Sequence, residues 1–174
     1  MIGNEKQTTL ILACCGPCAC ALFLHGLQDK YDMAFLFYGN NFDSQEEYDR
    51  RLEALVRVNA ELNNGKEMII IPYTDLSDHA AAACAKCIER RLRITAEYTR
   101  QRGFDCFSTS LTVSPHKDME LINKLGSEIG EEFAVPFIEL DLKRGGGFQK
   151  SVEISKRLNL YRQKHCGCKF SVRQ

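Results

Sequence analysis

Four of the nine cysteines have the spacing of metal ligands. Cys14 and Cys15 are adjacent, and a glycine and a proline follow them where an apolar run ends. Cys84 and Cys87 are three residues apart, a spacing that places both thiols on one face of a helix. The two pairs offer four thiolates, which suit a tetrahedral zinc or an iron–sulfur cluster. We favour iron–sulfur, because structural zinc usually takes two CxxC-like pairs rather than an adjacent pair.

A third group of cysteines lies in Cys166-Gly167-Cys168. A disulfide across this spacing closes a very small ring, so it would be strained and easily reduced. The spacing favours a catalytic redox pair, and it also fits further metal ligands or two inert thiols. Cys18, near a predicted helix N-terminus, fits a further ligand or a small helix residue. Cys20 and Cys106 are typical of core positions.

The cysteine count argues against a disulfide-stapled fold. Nine is an odd number, so the cysteines cannot all pair within the chain. Only residues 10–13 are apolar before Cys14, whereas a secretion signal needs roughly 7–15 apolar residues there. We therefore expect a cytoplasmic protein with reduced thiols. Since no run of 18 apolar residues occurs, we expect no membrane span.

Charge is divided unevenly along the chain, although the formal net charge is zero. Residues 1–142 contain 14 lysines and arginines and 22 acidic residues, whereas residues 143–174 contain nine basic residues and only Glu153 as an acid. A basic end on a neutral protein suggests a polyanionic partner. A solvated basic tail would give the same pattern.

Short apolar runs alternate with helix-length segments. The runs predict about five strands, at residues 8–14, 33–38, 68–72, 104–112 and 137–142. The longest predicted helix covers residues 80–102. This alternation predicts one α/β domain over residues 1–174, with a mostly parallel Rossmann-like sheet and helices on both faces. Ligands bind at the carboxyl ends of such strands, so residues 14–15, 38–41 and 109–114 should share one edge.

Several common reaction classes lack their motifs. The sequence contains no GxxxxGK[ST] loop and no GxGxxG after a strand, so nucleotide-driven chemistry is unsupported. HExxH and GxSxG are absent as well, which leaves zinc-protease and serine-hydrolase chemistry without support.

Four blocks together resemble one family, the cobalamin-independent epoxyqueuosine reductases. They are LACCGPC at 12–18, CAKCIERRL at 84–92, FSTSLTVSPHKD at 107–118 and YRQKHCGCKFS at 161–171. GGGFQKS at 145–151 also looks like the turn before the last helix of that family. The resemblance covers nearly the whole chain. Residues 38–41, YGNN, depart from the commoner Asn-Pro-Asn of the family, so the substrate loop differs in detail.

The resemblance implies a fold, an activity and a set of ligands. The family has a Rossmann-like fold of the HUP type and reduces epoxyqueuosine to queuosine at the wobble position of certain tRNAs. By the matched motifs, a 4Fe–4S cluster would be bound by Cys14, Cys15, Cys84 and Cys87. Cys166 and Cys168 would form a redox-active disulfide. Some members carry a second mononuclear iron, with an aspartate where this chain has Cys18.

The implied reaction makes further demands on the chain. Removing an epoxide oxygen takes two electrons and protons, so a two-electron dithiol would complement a one-electron cluster. The candidate proton donors are His116, Lys117, Asp118, Asp43 and Tyr161. The basic segment 143–174 would contact tRNA carrying epoxyqueuosine. Arg90, Arg91 and Arg93 would add to that contact or form a solvated helix face. The sequence does not indicate the external electron donor.

Two other classes share part of the cysteine pattern. Adenylyl-sulfate reductases also pair Cys-Cys with a distant CxxC, but they need a phosphate loop after the first strand and a different C-terminal cysteine motif. A zinc-stabilised nucleic-acid-binding module would be colourless and would not need Cys166. The colour of anaerobically purified protein distinguishes a cluster enzyme from such a module.

Overall fold

Four of the five predicted strands form one sheet in the computed structural model, which describes residues 5–74 and 84–167. All neighbouring strands are parallel, and their order across the sheet is β3-β2-β1-β4. The strands are β1 (Gln7–Leu12), β2 (Tyr31–Tyr38), β3 (Met68–Ile71) and β4 (Cys106–Thr109). Parallel strands between helices give the α/β, Rossmann-like architecture that the sequence predicts.

Different helices cover the two faces of the sheet. Successive strand residues point to opposite faces, so Leu10 and Leu36 join one core cluster whereas Ile11 and Phe35 join the other. The face of Ile11 is covered by α1 (Gly16–Leu24), α3 (Gln45–Leu62) and α6 (Gly147–Arg157). The face of Leu10 is covered by α4 (Cys84–Arg102) and α5 (Met119–Phe133). A single helical turn, α2 (Leu27–Lys30), leads into β2.

The prediction of a fifth strand at residues 137–142 is wrong. This segment pairs with β4 at one bridge only, Phe107 with Phe137. Further along, the side-chain amide of Asn123 donates to the carbonyl of Leu140 at 3.2 Å and accepts from its N–H at 3.4 Å. A side chain on α5 thus satisfies backbone groups that a strand partner would otherwise bind.

One predicted boundary also moves, and another lies outside the described residues. The strand predicted at 104–112 ends earlier, because Leu111–Val113 forms a 3-10 turn. The helix predicted at 80–102 corresponds over its described residues to α4 (Cys84–Arg102), and residues 80–83 lie outside the described part of the chain. In the described ranges, none of the helices combines the length and the hydropathy needed to cross a bilayer.

The strand order places two chain segments at one edge of the sheet. β1 lies between β2 and β4, so the connections that leave its carboxyl end and that of β4 diverge to opposite faces. A crevice forms at such a point in open parallel sheets. Cys14 follows β1 and Ser114 follows β4, and both line the same cavity.

Candidate functional site

Three thiols gather where the chain passes from β1 into α1. The Sγ atoms of Cys14, Cys15 and Cys18 all lie within 4.8 Å of one another. Cys15 is the N-cap of α1, and its Sγ accepts a hydrogen bond from the Cys18 backbone N–H at 3.4 Å. This cap turns the chain sharply, so the adjacent thiols of Cys14 and Cys15 serve one site. The donor set and its spacing could hold a metal ion.

A glycine allows the three thiols to sit against α3. A Cβ on Gly16 would stand 2.6 Å from the backbone oxygen of Ala54, so a larger residue would push the two helices apart. Pro17 in the first turn suits a helix start, where its missing N–H costs nothing.

The electrostatics of the three thiols differ. Hydrogen bonds from Cys15 and Cys18 hold the pKa of Cys14 well below its ordinary value, and the charges of Arg51 and Arg91 act in the same direction. Burial raises the pKa of Cys15, and the hydrogen bond to Cys14 raises that of Cys18. The three thiols therefore form one hydrogen-bonded group, in which neighbouring S–H groups stabilise a negative charge.

Arg91 interacts electrostatically both with the cysteines of α4 and with Cys14, which follows β1. Its side chain is 2% exposed, and its Nε donates to the carbonyl of Cys87 at 3.4 Å. Burial works to lower the pKa of Arg91, but the pKa is raised overall by the thiolates of Cys87, Cys166, Cys14 and Cys84. A buried guanidinium thus stands among four cysteines from three segments of the chain.

A cavity of about 520 Å³ opens beside these thiols. Its walls include Cys14, Cys18, Cys84 and Cys166, together with several polar side chains from the carboxyl edge of the sheet. Lys117 is one of them, and its Nζ lies 3.8 Å from the Sγ of Cys84. Burial is the largest single influence and acts to lower the pKa of Lys117, but the charge and hydrogen bond of Cys166, together with the charge of Cys84, raise that pKa overall. The cavity therefore combines thiols with a fixed positive charge.

Arg51 holds the segment that carries Cys166. Its side chain is 1% exposed and donates to the carbonyls of His165 at 2.8 Å and Cys166 at 3.1 Å. Glu47 accepts from Arg51 Nε at 2.6 Å and, through its other oxygen, from the hydroxyl of Tyr161 at 2.6 Å. A buried network on α3 thus fixes residues 161–166.

The loop after β2 fixes the same segment from the other side. The backbone N–H of Asp43 donates to the carbonyl of Gly167 at 2.8 Å, and its carboxylate lies 3.0 Å from Nε2 of His165. Gly167 has a φ of +119°, and a Cβ there would stand 2.8 Å from the ring of Phe42. Only glycine suits this position without strain.

The predicted cysteines are distributed as follows. Cys14 and Cys15 lie together, and Cys84 and Cys166 face the cavity that Cys14 also lines. Cys87 is half-buried on α4, and Cys168 lies outside the described residues. The core positions predicted for Cys20 and Cys106 are confirmed, because both side chains are buried.

Four of the five candidate proton donors separate into two groups, and the fifth, Asp43, lies beside His165. His116 and Lys117 line the cavity. Asp118 instead caps α5, where its Oδ1 accepts from the backbone N–H of Leu121 at 3.0 Å, and the hydroxyl of Tyr161 donates to Glu47. These two side chains are therefore occupied in holding the fold.

The arginines of α4 do not form one surface. Arg91 is buried, so the prediction that it contacts nucleic acid or lies on a solvated face is wrong. Arg93 donates to Glu89 at 3.0 Å and to Glu132 at 2.7 Å, so acidic partners already neutralise it. Of the three, Arg90 is the one that is exposed.

Sequence reasoning missed three polar residues of this site: Arg51, Gln163 and His165. Gln163 lines the cavity, and its Nε2 lies 2.9 Å from the Sγ of Cys15 and 3.6 Å from that of Cys18. A signal for Arg51 was present, because it shares the apolar face of α3. For Gln163 and His165 the signal was proximity to the Cys-Gly-Cys motif.

These features define an α/β protein with a Rossmann-like sheet and a thiol-lined cavity at its carboxyl edge. A family model described as epoxyqueuosine reductase QueH matches residues 9–174. The chain belongs to this family, a family of oxidoreductases, which confirms the resemblance read from its motifs.

Similar proteins support the same assignment. A protein of Thermotoga maritima named epoxyqueuosine reductase QueH is 34% identical over 177 residues, covering 95% of this chain and 90% of the relative. Proteins of the same name from Dehalococcoides mccartyi and Staphylococcus epidermidis are 30% and 29% identical; they cover 93% and 97% of this chain, and 91% and 78% of the relatives.

Proposed function

We propose that this protein reduces epoxyqueuosine to queuosine in tRNA, using a 4Fe–4S cluster bound by Cys14, Cys15, Cys84 and Cys87. The observation that carries the proposal is that Cys14 and Cys84 line one cavity together with Cys166. The same space is therefore lined by proposed ligands from two distant segments and by a thiol of the Cys-Gly-Cys motif. The family to which the chain belongs supplies the activity and the substrate.

The donor set fits an iron–sulfur cluster. All four proposed ligands are thiols, and hydrogen bonds with Cys15 and Cys18 lower the pKa of Cys14. Four thiolates are strongly anionic, and burying such a charge requires compensation. The buried guanidiniums of Arg51 and Arg91 supply it, because both face the cysteines.

A second, mononuclear iron is proposed at Cys18. Its sulfur lies within 4.8 Å of those of Cys14 and Cys15, on the wall of the cavity. Cys18 therefore remains available as a ligand when the other two thiols bind the cluster. When bound, the iron centres supply single electrons and a Lewis acid for the substrate oxygen.

The chain's own thiols balance the reaction. An epoxide that becomes an alkene and water consumes two electrons and two protons. Cys166 and Cys168 release two electrons and two protons when their S–H bonds are replaced by one S–S bond. An external donor then reduces the disulfide again. Lys117 keeps a positive charge beside Cys166 on the wall of the same cavity.

The basic segment is proposed to hold the tRNA. Arg144, Lys150 and Lys164 are exposed, and Lys164 lies on the cavity wall. Phe148 stands 37% exposed on the same wall, where a nucleobase could stack on it. Lys143 is less available, because its Nζ donates to the carbonyl of Lys117 at 2.8 Å.

An anaerobic assay on tRNA carrying epoxyqueuosine, analysed nucleoside by nucleoside, tests the proposal. Wild-type protein should be brown and should form queuosine. Cys84→Ala should lose most of the iron, whereas Cys106→Ala, a matched change in the core, should keep it. A colourless protein that binds zinc and forms no product would contradict the proposal and favour a zinc-stabilised nucleic-acid-binding module.

The thiol pair is tested by Cys166→Ser. This variant should keep its iron and its tRNA binding but lose turnover, because it can no longer form the disulfide. Lower iron content would identify Cys166 as a metal ligand instead. Retained turnover would show that the thiol is inert.

A further inference from the structure

The proposed reaction needs a proton carrier as well as electrons, and this inference rests on that proposed function. The thiols release their protons at sulfur, whereas the departing oxygen needs them at the substrate. A side chain that reaches both must therefore accept a proton from one and give it to the other. We propose that His165, held by Asp43, is this proton carrier.

The position of His165 fits the task. His165 lines the cavity and immediately precedes Cys166 in the chain. The ring is 15% exposed, so it is shielded from bulk water without being sealed off. Electron donor and proton carrier are then adjacent in one short segment.

Asp43 orients the imidazole. Its Oδ2 lies 3.0 Å from Nε2 of His165, and the carboxylate is 24% exposed. In the tautomer that donates from Nε2 to this carboxylate, Nδ1 is the nitrogen left to exchange a proton. A base oriented by a third group is the arrangement found in general acid–base sites.

Backbone contacts fix both members of this pair to the same segment. Arg51 donates to the carbonyl of His165 at 2.8 Å, and the backbone N–H of Asp43 donates to the carbonyl of Gly167 at 2.8 Å. These two bonds tie Asp43 and the segment of His165 and Cys166 to one another and to α3. Among the described residues, the ring contacts Asp43 from the loop after β2, Arg51 from α3 binds the backbone of His165, and Lys117 and Lys164 line the same cavity.

The complete exchange balances. Two thiols become a disulfide, the two C–O bonds of the epoxide break, one C=C bond forms, and the oxygen leaves as water. His165 accepts each proton from sulfur and gives it to oxygen, so the imidazole is unchanged at the end. The remaining cavity histidine, His116, is the competing carrier.

The test uses the full chain, loaded with iron under anaerobic conditions. His165→Ala should keep its iron content and tRNA binding, while turnover falls about 10²–10⁴-fold, the usual contribution of general acid–base catalysis. Added imidazole should restore part of that turnover, which a purely structural role would not allow. Asp43→Asn should also lower turnover, and imidazole should not restore it. His25→Ala, which removes a histidine bonded to Leu142 instead, should retain turnover.

Three results would overturn the inference: unchanged turnover in His165→Ala, lost turnover without any response to imidazole, or rescue by imidazole in His116→Ala alone. If His165→Ala loses iron, His165→Gln takes its place, because its amide can still donate to Asp43. Lost turnover at full iron content then supports the inference, and retained turnover overturns it. If the wild-type protein forms no queuosine, the proposed function fails first; product formation by both wild type and His165→Ala overturns the proton carrier alone.

Discussion

Replacing Arg51 by methionine should destabilise the protein strongly, whereas the same change at its neighbour Arg50 should not. Arg51 is 1% exposed and donates to Glu47 and to two backbone carbonyls. Arg50 forms an ion pair with Glu46 in which the side chains are 53% and 72% exposed. The two arginines are adjacent on α3, so burial and bonding are the main differences between them.

The size of the effect follows from what Arg51→Met leaves behind. Glu47, itself 7% exposed, would keep only the hydroxyl of Tyr161 as a described side-chain partner. Removing one member of a buried ion pair costs about 3–5 kcal/mol, because the other charge stays buried without compensation. At about 2–4 °C per kcal/mol for a chain of this size, the melting temperature should fall by roughly 6–20 °C. An exposed pair such as that of Arg50 contributes about 0–1 kcal/mol.

Thermal unfolding followed by circular dichroism, on anaerobic samples of equal iron content, measures both variants. Adding Glu47→Leu to Arg51→Met should recover part of the loss, since the orphaned carboxylate is then removed. Equal melting temperatures for Arg50→Met and Arg51→Met would refute the argument. A double variant less stable than Arg51→Met would refute the assignment of the cost to Glu47.

Three further outcomes are expected. Gln163→Leu should lower the reduction potential of the bound cluster in an anaerobic redox titration, because its N–H groups no longer stabilise the more negative state; an unchanged potential would contradict this contact. Gly167→Ala should lower the free energy of unfolding by about 1–3 kcal/mol in denaturant titrations and should lower turnover, since a side chain strains the backbone there. Gly145→Ala, where a Cβ would meet nothing within 4 Å, should lower the free energy of unfolding less. Burial raises the pKa of Cys20 to about 11, so the folded chain holds this proton more tightly than the unfolded chain. Stability should therefore fall as the pH rises from the ordinary thiol pKa towards 11, and the same fall in Cys20→Ala would show that other groups cause it.

The sheet was predictable because its strands are short apolar runs between helices. The fifth predicted strand is wrong because of a contact that the hydrophobic periodicity of the segment cannot indicate. Residues 137–142 have the composition of a strand, but Asn123 on another element bonds the backbone of Leu140. That contact depends on how α5 packs, which becomes known only once the fold is known.

The site was predictable in its sulfur chemistry and not in its polar surroundings. Cysteines such as Cys14 and Cys84 can be identified as candidate ligands from their spacing in the sequence, since few roles need clustered thiols. A single arginine, glutamine or histidine occurs in many surface positions, so its type says little. The roles of Arg51, Gln163 and His165 in the site become visible only through contacts with residues more than 100 positions away in the sequence.

The contact of Gln163 with the thiols of Cys15 and Cys18 has a consequence for biosynthesis. Nε2 of Gln163 reaches Cys15 across a sequence separation of 148 residues. On the ribosome, Cys14, Cys15 and Cys18 therefore emerge long before the side chain that covers them. We expect these thiols to stay open to iron delivery until the segment around Gln163 docks. Loading before docking would then be faster than loading of the finished protein, which pulse-labelled iron uptake during translation can measure.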